Sequence, residues 1–277
     1  MSDKTLTGVL SKMHTELSAT VNYQLPVGDQ LLPLNELMGT KLSFEYLGEI
    51  FCSHCGRKTK KSFSQGYCYP CFRKLPQCDV CIMSPEKCHY HEGSCRDSEW
   101  GEQFCMTDHV VYLANSSGLK VGITRATQIP TRWIDQGASQ AMPFIRVATR
   151  QQSGLLETLF KEFVNDRTNW RAMLKGPAEP LDLQKSAQDL LDMNASRIKE
   201  FQDQFGLQAI QPVLKPKVVE ISYPVEQYPT KVTSQSFDKK ALIEGTLLGI
   251  KGQYLILDTG VVNIRKHTSY QIRVTAH

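Results

Sequence analysis

The sequence predicts an α+β protein, and three observations support this fold class. Short runs of alternating apolar residues, separated by glycine-containing turns, occur at both ends of the chain and are typical of small antiparallel β units. All nine cysteines lie between residues 52 and 105, so a compact metal-binding module is expected there. From residue 109 onward the chain reads as strand, turn, strand and helix, which predicts an α/β core.

These changes of pattern divide the chain into five predicted segments. They are an N-terminal β segment (1–50), a cysteine-rich module (51–107), an α/β core (108–176), a helix with an extended linker (177–236) and a C-terminal β segment (237–277). The two β segments echo each other, since TGVLSK corresponds to EGTLLG and KLSFEYL to SYQIRV. They are therefore either a weak repeat or strands that complete one barrel around the inserted modules.

Several elements after the first hairpin are predicted from periodicity. A helix is expected near residues 154–164, and residues 181–204 read as one amphipathic helix entered from the turn GPAEP. The stretch LKPKVVEISYPVEQYPTKV is punctuated by proline, so we expect an edge strand or an extended traverse.

Composition excludes several classes of protein. With 41% hydrophobic and 22% charged residues the chain is globular, and its net charge of +4 is only mildly basic. No run of 18 apolar residues is present, so we expect no membrane partner, and the first residues lack the apolar stretch of a signal peptide. We therefore expect a cytoplasmic protein, in which paired cysteines are better interpreted as metal ligands than as disulfides.

Two CxxC pairs have the spacing of a zinc ribbon. They are Cys52 with Cys55 and Cys68 with Cys71, and 12 residues separate them. A CxxC turn lets two thiolates reach one ion at about 2.3 Å, and two such pairs complete a tetrahedron. Because protein fills all four positions, a zinc ion held here would be structural and not catalytic.

A second zinc site is predicted in the remainder of the module, but its ligands are less determined. The favoured set is Cys78, Cys81, Cys88 and Cys95, with His91 or Cys105 as substitutes. A cross-braced arrangement, in which alternate pairs share ions, is also compatible with the order of the cysteines. Two structural zinc ions are the expected cofactors, and the module should unfold without them.

The first ribbon is basic and aromatic. Between residues 51 and 77 there is no acidic residue, and four aromatic residues are interleaved with the cations. Lysine and arginine bind phosphate without reading sequence, and exposed aromatic rings stack on unpaired bases. The alternative is a solvated face whose charge offsets a zinc held by four thiolates. The residues assigned to nucleic-acid binding are Arg57, Lys58, Lys60, Lys61, Arg73 and Lys74, with Lys120 and Arg125 of the core.

The core stretch VVYLANSSGLKVGITRATQIPTRW resembles the GIY-YIG nuclease-type domain, over roughly residues 108–166. In that family one strand ends in a tyrosine, a second ends in a glycine, one helix carries an arginine and a later helix a glutamate. Tyr112, Gly122, Arg132 and Glu157 match these positions. The resemblance implies hydrolysis of a phosphodiester, with a tyrosine or water as base, arginine on the phosphate and Mg²⁺ at Glu157.

Departures from that pattern weaken the implied catalysis. Lys120 replaces the second tyrosine, Gln136 stands where a histidine is common, and the spacing to the arginine is longer than usual. Tyr112 on an alternating strand is also a common core residue. Glu157, at the edge of an apolar helix stripe, is equally a partner for a structural Arg132.

The whole chain also resembles an uncharacterised bacterial family of the DUF2797 type, through its cysteine-rich segment followed by KVGITR and RWIDQGA. This resemblance implies no activity. We expect a zinc-containing nucleic-acid-binding protein, for RNA or single-stranded DNA, with a degenerate GIY-YIG-like core. One alternative is an active metal-dependent endonuclease or phosphodiesterase that uses Tyr112, Arg132 and Glu157. Another is a protein–protein adaptor that docks through the zinc module.

Overall fold

The computed structural model describes residues 4–277, and the first three residues of the predicted N-terminal segment lie outside this range. The predicted α+β class is confirmed, because helices lie among strands whose pairs are antiparallel with one exception in this range. The strands are β1 (Lys4–Val9), β2 (His14–Glu16), β3 (Asn22–Val27), β4 (Gln30–Pro33), β5 (Lys41–Phe51), β6 (Lys58–Thr59), β7 (His109–Asn115), β8 (Leu119–Arg125), β9 (Gln140–Val147), β10 (Ile210–Pro212), β11 (Val219–Glu220), β12 (Ser234–Gln235), β13 (Leu242–Lys251), β14 (Tyr254–Leu257), β15 (Gly260–Asn263) and β16 (Tyr270–Ala276). The helices are α1 (Tyr69–Lys74), α2 (Val80–Met83), α3 (Ser98–Phe104), α4 (Thr131–Asp135), α5 (Arg150–Phe160), α6 (Trp170–Met173), α7 (Leu183–Met193) and α8 (Ala195–Phe205).

The largest sheet joins the two ends of the chain, and its order is β1-β16-β5-β13-β14-β15-β12, with β6 paired to β5. At its centre β5 and β16 run antiparallel with Phe44 opposite Val274. On one side β1 pairs with β16, and on the other β13 pairs with β5. Alternate residues of these strands are apolar and buried, so the two chain ends share one hydrophobic core.

Both chain ends have the same internal order, as the predicted repeat requires. Strand, turn, strand, 3₁₀ turn and strand follow from β3 to β5, and again from β14 to β16. Backbone hydrogen bonds repeat as well, since Gly28 donates to Val9 as Asp258 donates to Thr246. From β4 into the 3₁₀ turn, each residue of the first copy corresponds to the residue 230 positions later. In the first copy β3 and β4 pair with β2 in a separate three-stranded sheet, whereas β14 and β15 of the second copy lie in the largest sheet. We call these two copies together the duplicated sheet.

A second sheet forms the α/β core, in the order β10-β9-β7-β8 with β11 at the edge of β9. Side chains alternate between its two faces. Val111 and Leu113 pack with α5, α7 and α8 on one face. Tyr112 and Ala114 point to the other face and join the core of the duplicated sheet.

Two helical regions differ from the expectation. α5 begins at Arg150, earlier than expected, because Thr149 and Gln152 form a capping box there. The single helix expected after the GPAEP turn is two helices, α7 and α8. They separate at Asn194, whose side-chain amide donates to the carbonyl of Leu190 and so competes with the helical bonding pattern.

The cysteine-rich module bridges the duplicated sheet and the α/β core. Its first half is fixed to the duplicated sheet, where β6 pairs with β5 and the Ser53 hydroxyl lies 2.7 Å from that of Ser269. Its second half packs on α5. A Cβ atom at Gly154 would lie 2.5 Å from the backbone nitrogen of Glu86, so only glycine allows this approach.

Candidate metal centres and anion-binding groove

Four cysteines converge at the edge of the duplicated sheet, as the ribbon spacing predicts. Cys52 follows β5, Cys55 lies in the next turn, and Cys68 and Cys71 flank the start of α1. Their sulfur atoms all lie within 4.8 Å of one another, and those of Cys55 and Cys68 are 3.8 Å apart. Sulfurs at about 2.3 Å from a tetrahedral zinc are themselves about 3.8 Å apart. The cluster could therefore hold a zinc ion.

The acidities of the thiols in this cluster also favour a cation. Burial disfavours the Cys52 thiolate, but backbone hydrogen bonds, first from Cys55 and Cys68, outweigh burial and lower the Cys52 pKa to about 6. Desolvation and the neighbouring sulfurs raise the Cys71 pKa to about 12. The Cys52 thiolate therefore forms readily, and its negative charge makes ionisation of Cys71 less favourable. Four thiolates coexist here only around a positive ion.

A second group of cysteines surrounds a small cavity between α2 and α3. The cavity measures about 10 Å³, the size that one water molecule or one ion needs. The cysteines that line it are Cys81, Cys88, Cys95 and Cys105. His91, one of the two predicted substitutes, is exposed and lies outside this lining.

Cys78 is not among the residues that line the cavity. Its side chain is buried, and burial raises its pKa, against the effects of Arg96 and Ser64. Cys52 of the first cluster is close enough to raise the Cys78 pKa further. The structure thus places Cys105, the other predicted substitute, where the favoured ligand set had Cys78.

Two further side chains with ligand atoms lie near the cavity. The carboxylate of Asp79 and the imidazole of His89 are within 4.8 Å of the Cys81 sulfur. Asp79 is already bound, since its carboxylate lies 2.7 Å from the guanidinium of Arg96. Thiols are the better donors for a soft ion, but within residues 4–277 the four sulfurs of this group do not all lie within 4.8 Å of one another.

A buried cation faces the second cysteine group. Burial lowers the pKa of Arg150, at the start of α5, while negative charge on Cys105 and Cys81 would raise it. The Arg150 Nε has no hydrogen-bond partner, and the side chain has no ion-pair partner, within residues 4–277. A zinc ion held by four thiolates has a net charge of about −2. Such a site would supply the negative charge that Arg150 lacks as a partner.

In the α/β core, two strands and the end of α4 meet at Gln136. Its side-chain oxygen accepts hydrogen bonds from the Tyr112 hydroxyl at 2.7 Å and from the Lys120 ammonium at 2.6 Å. Tyr112 is fully buried, and a Cβ at Gly122 on the neighbouring strand would lie 2.6 Å from its ring. The two residues that depart from the GIY-YIG pattern, Lys120 and Gln136, are thus bonded to each other.

Arg132 and Glu157 lie beside this group. Arg132 is close enough to affect the pKa values of Tyr112, Lys120 and Glu157. Burial first, and then the charge of Asp166, raise the pKa of Glu157. Among the described residues, neither Arg132 nor Glu157 has an ion-pair partner within 4.0 Å. The structural Arg132–Glu157 pair considered from the sequence is therefore not formed.

An open groove of about 540 Å³ leads to Gln136. The zinc-module loop at Gln65, the α/β core and the second copy of the duplicated sheet all contribute to its walls. The charged residues that line it are Lys120, Arg167, Arg265, Lys266, Asp135 and Asp166. Asp135 is already neutralised, because its carboxylate lies 3.0 Å from the Lys12 ammonium. The remaining charge of the lining is positive.

The cations assigned to the first ribbon lie on its surface, but they are not equivalent. Arg57, Lys60, Arg73 and Lys74 are exposed and form no ion pair in the described part of the chain. Lys58 is exposed as well, yet its ammonium lies 2.6 Å from the Glu49 carboxylate. The Lys61 ammonium lies 5.5 Å from the centre of the Phe63 ring.

The aromatic residues of the ribbon pack mainly on one another. Phe63 lies against Tyr69 and Phe72, with ring centroids 5.4 and 5.7 Å apart. Of the four interleaved aromatic residues only Tyr69 is exposed, at 53%. The ribbon therefore offers one ring, and not four, for stacking on a base.

The two core cations assigned to nucleic-acid binding occupy different places. Lys120 is buried in β8 and belongs to the group around Gln136. The Arg125 guanidinium lies 4.7 Å from the centre of the Phe104 ring, at the junction of the core and the cysteine-rich module.

Anion binding at Lys120 is expected to weaken as the pH rises through about 8. Burial first, and then Arg132, lower the Lys120 pKa to about 8, although Glu157 and Asp166 oppose this shift. The ammonium is charged below that pH and neutral above it, so its attraction to a phosphate is lost as the pH rises. Fluorescence anisotropy of a labelled oligonucleotide from about pH 6 to pH 10 measures the change. Lys120→Met should remove the step, and a step that survives this substitution would contradict the assignment.

Several residues of these sites were not assigned from the sequence. Asp166 reaches Lys120 only because the carbonyl of Asn165 accepts a hydrogen bond from the Val121 amide at 2.8 Å. Arg150 and Arg265 belong to no local motif. The internal repeat was the one available signal for Arg265, since the corresponding residue of the first copy is Asn35.

The fold and the first cysteine cluster define an α+β protein with a four-cysteine cluster that could hold a zinc ion. Residues 39–272 match the family model described as "Protein of unknown function (DUF2797)", and the chain belongs to this family. No curated protein and no solved structure matches the chain. None of the helices in residues 4–277 is long and apolar enough to span a membrane.

Proposed function

We propose that this protein binds single-stranded nucleic acid, RNA or DNA, along the positive groove and the basic ribbon. The main observation behind this proposal is that Lys120 lines the groove and Arg132 is close enough to lower the Lys120 pKa, while neither cation has a carboxylate within 4.0 Å in residues 4–277. Positive charge removed from water is unfavourable unless it is paired. A phosphate at the end of the groove would provide that pairing through charge-assisted hydrogen bonds.

Zinc has an architectural role in this proposal. One ion at the Cys52–Cys71 cluster would hold the ribbon and its exposed lysines in place. A second ion, held by Cys81, Cys88, Cys95 and Cys105, would connect α2 to the end of α3 and offset the charge of Arg150. Neither ion has an open coordination position for substrate in this arrangement, so neither takes part in chemistry.

The GIY-YIG-like core is proposed to be degenerate, because Tyr112 is poorly placed to act as a base. It is fully buried, its hydroxyl donates to Gln136, and burial raises its pKa. A buried phenol that already donates its proton to a fixed acceptor is a weak general base.

A second candidate function is a metal-dependent phosphodiesterase, and the carboxylates favour it. Glu157 and Asp166 are close enough for the charge of Asp166 to raise the Glu157 pKa, and Glu157 has no ion-pair partner in the described residues. Mg²⁺ is commonly bound by one or two carboxylates together with substrate phosphate. Arg132 would then steady the phosphate.

The salt dependence of binding tests the proposed function. Each lost phosphate contact flattens the slope of log K against log salt by about 0.7 for a single strand. Replacing Lys60 and Lys61 together by alanine should flatten it by about 1.4, because neither ammonium has an acidic partner in the described residues. Lys58→Ala is the matched control, since Glu49 already holds that ammonium. An unchanged slope in the double variant, with zinc retained, would assign these lysines to a merely solvated face.

A further inference from the structure

The duplicated sheet has two equivalent grooves, one for each copy. The groove of the first copy, of about 360 Å³, lies along β2, β3, β4 and the 3₁₀ turn that follows. The groove of the second copy is the one that leads to Gln136. The residues that line both and correspond 230 positions apart are Tyr23 and Gln253, Gln24 and Tyr254, Pro33 and Asn263, Asn35 and Arg265, and Glu36 and Lys266.

The equivalent positions carry opposite charge. Asn35 and Glu36 in the first groove give a net charge of −1, whereas Arg265 and Lys266 in the second give +2. The 3₁₀ turns of the two copies have similar backbone angles although one carries Asn35 and the other Arg265, so the turn does not require these cations. Their presence in one groove alone calls for a ligand in that groove.

Of Arg265 and Lys266, Arg265 is the cation whose positive charge is less balanced by nearby carboxylates. Burial first, and then the positive charge of Arg132, lower its pKa, while Asp135 raises it. Asp135 is itself neutralised by Lys12, and no carboxylate lies within 4.0 Å of Arg265 in the described chain. Its Nε donates to the Gln65 side chain at 2.7 Å, which fixes the guanidinium at the groove wall. The charge of Lys266 is better balanced, because Asp238 lies 3.5 Å from its ammonium.

The second groove also has a stacked pair of aromatic rings, whereas the aromatic ring lining the first groove is that of the buried Tyr23. Trp170 and Tyr254 both line it, with ring centroids 5.6 Å apart and planes at 5°. In the first copy Gln24 takes the place of Tyr254. Positive charge along one wall and stacked rings along another are the combination that holds a single strand without reading its sequence.

We propose that the second copy of the duplicated sheet forms the strand-binding groove. Arg265 and Lys266 contact phosphates there, Tyr254 contacts a base on the face turned away from Trp170, and the groove of the first copy binds no nucleic acid. This assignment rests on the proposed function and extends its site from the α/β core to the C-terminal repeat.

An exchange of side chains between the two copies tests the assignment. In one variant, Arg265→Asn with Lys266→Glu gives the second groove the residues of the first. The matched control, Glu36→Lys, makes the opposite charge change in the first groove and keeps Asn35, whose side chain accepts from the Tyr23 amide and donates to the Val21 carbonyl. Anisotropy of labelled oligo-dT and oligo-U of about 20 nucleotides, at several salt concentrations, reports affinity and salt slope. We expect affinity to fall about tenfold or more and the slope to flatten by about 0.7 to 1.4 in the first variant, with the control close to wild type.

A third variant guards against a structural effect of losing the Arg265–Gln65 bond. Tyr254→Gln leaves that bond intact and should weaken binding without changing the salt slope, since a ring contributes no charge. If the wild type binds and neither the Arg265 variant nor Tyr254→Gln weakens binding, the groove assignment is wrong and the proposed function stands. If the zinc-loaded wild type binds neither oligonucleotide, the proposed function fails and the groove fails with it.

Discussion

Cys68→Ser is expected to remove one of two zinc ions and to unfold the first ribbon. Cys68 is buried in a cluster whose four sulfurs lie within 4.8 Å, so its loss leaves an incomplete tetrahedron. Structural zinc contributes about 10–16 kcal/mol of apparent binding free energy in zinc-finger peptides, which matches or exceeds the typical stability of a domain. Elemental analysis should fall from about two zinc ions per chain to about one. Hydrogen exchange should accelerate in α1 and β6 while β7 stays protected.

Two matched serine variants extend this test to the second cysteine group. Cys105→Ser should lose the second zinc ion, because Cys105 lines the cavity with three other thiols. Cys78→Ser should keep both ions, since Cys78 is also buried but is not among the residues that line that cavity. Fewer than one zinc ion per wild-type chain would contradict the metal sites altogether. Equal zinc loss in the two variants would contradict the second ligand set.

Glu157→Gln is expected to tighten nucleic-acid binding and to raise the thermal midpoint. Burial and Asp166 raise the Glu157 pKa, so ionisation of this carboxyl is less favourable in the folded chain than in the unfolded one. Stability therefore falls as the pH rises from the ordinary pKa of a glutamate to the raised pKa of Glu157 in the folded chain. The full loss is present above both pKa values. Glutamine keeps the shape and removes both this penalty and the repulsion of a nearby phosphate. Thermal melts and anisotropy at neutral pH measure the two effects.

The same substitution separates the binder from the enzyme. If Glu157 holds a divalent ion, metal-dependent cleavage by the wild type should fall by orders of magnitude in Glu157→Gln. Glu162→Gln is the control, because Glu162 is exposed and paired with Arg197 at 3.2 Å. Cleavage that survives Glu157→Gln would contradict both the metal-binding role of Glu157 and the proposal that the core is not catalytic. Weaker binding by the variant would contradict its placement as an unpaired neighbour of the phosphate.

The first metal cluster was predictable from the sequence because its geometry is local. A CxxC turn fixes two sulfurs by itself, so only the meeting of two such turns depends on the fold. The strands at both chain ends were predictable for a similar reason, since alternation of apolar residues places them on a shared core. The repeat was visible in TGVLSK, which includes the end of β1, and in EGTLLG, which lies within β13.

The remaining sites depend on contacts between distant segments. CDVC suggests that Cys78 and Cys81 share an ion, yet only Cys81 lines the cavity, and α3 brings Cys105 to it. The groove joins the loop at Gln65, the hairpin at Lys120 and the turn at Arg265, which no spacing rule connects. The GIY-YIG-like identity of the core and the five-segment division of the chain stay predictions.

The most direct test of nucleic-acid binding is to follow nucleic acid through purification of the zinc-loaded protein. Absorbance at 260 and 280 nm is compared after a low-salt and after a high-salt column, with zinc measured in both. The account predicts that nucleic acid elutes with the protein at low salt and leaves at high salt, and that added single strands then bind again. A zinc-loaded protein that is free of nucleic acid at low salt, and that binds no added strand, would contradict the account.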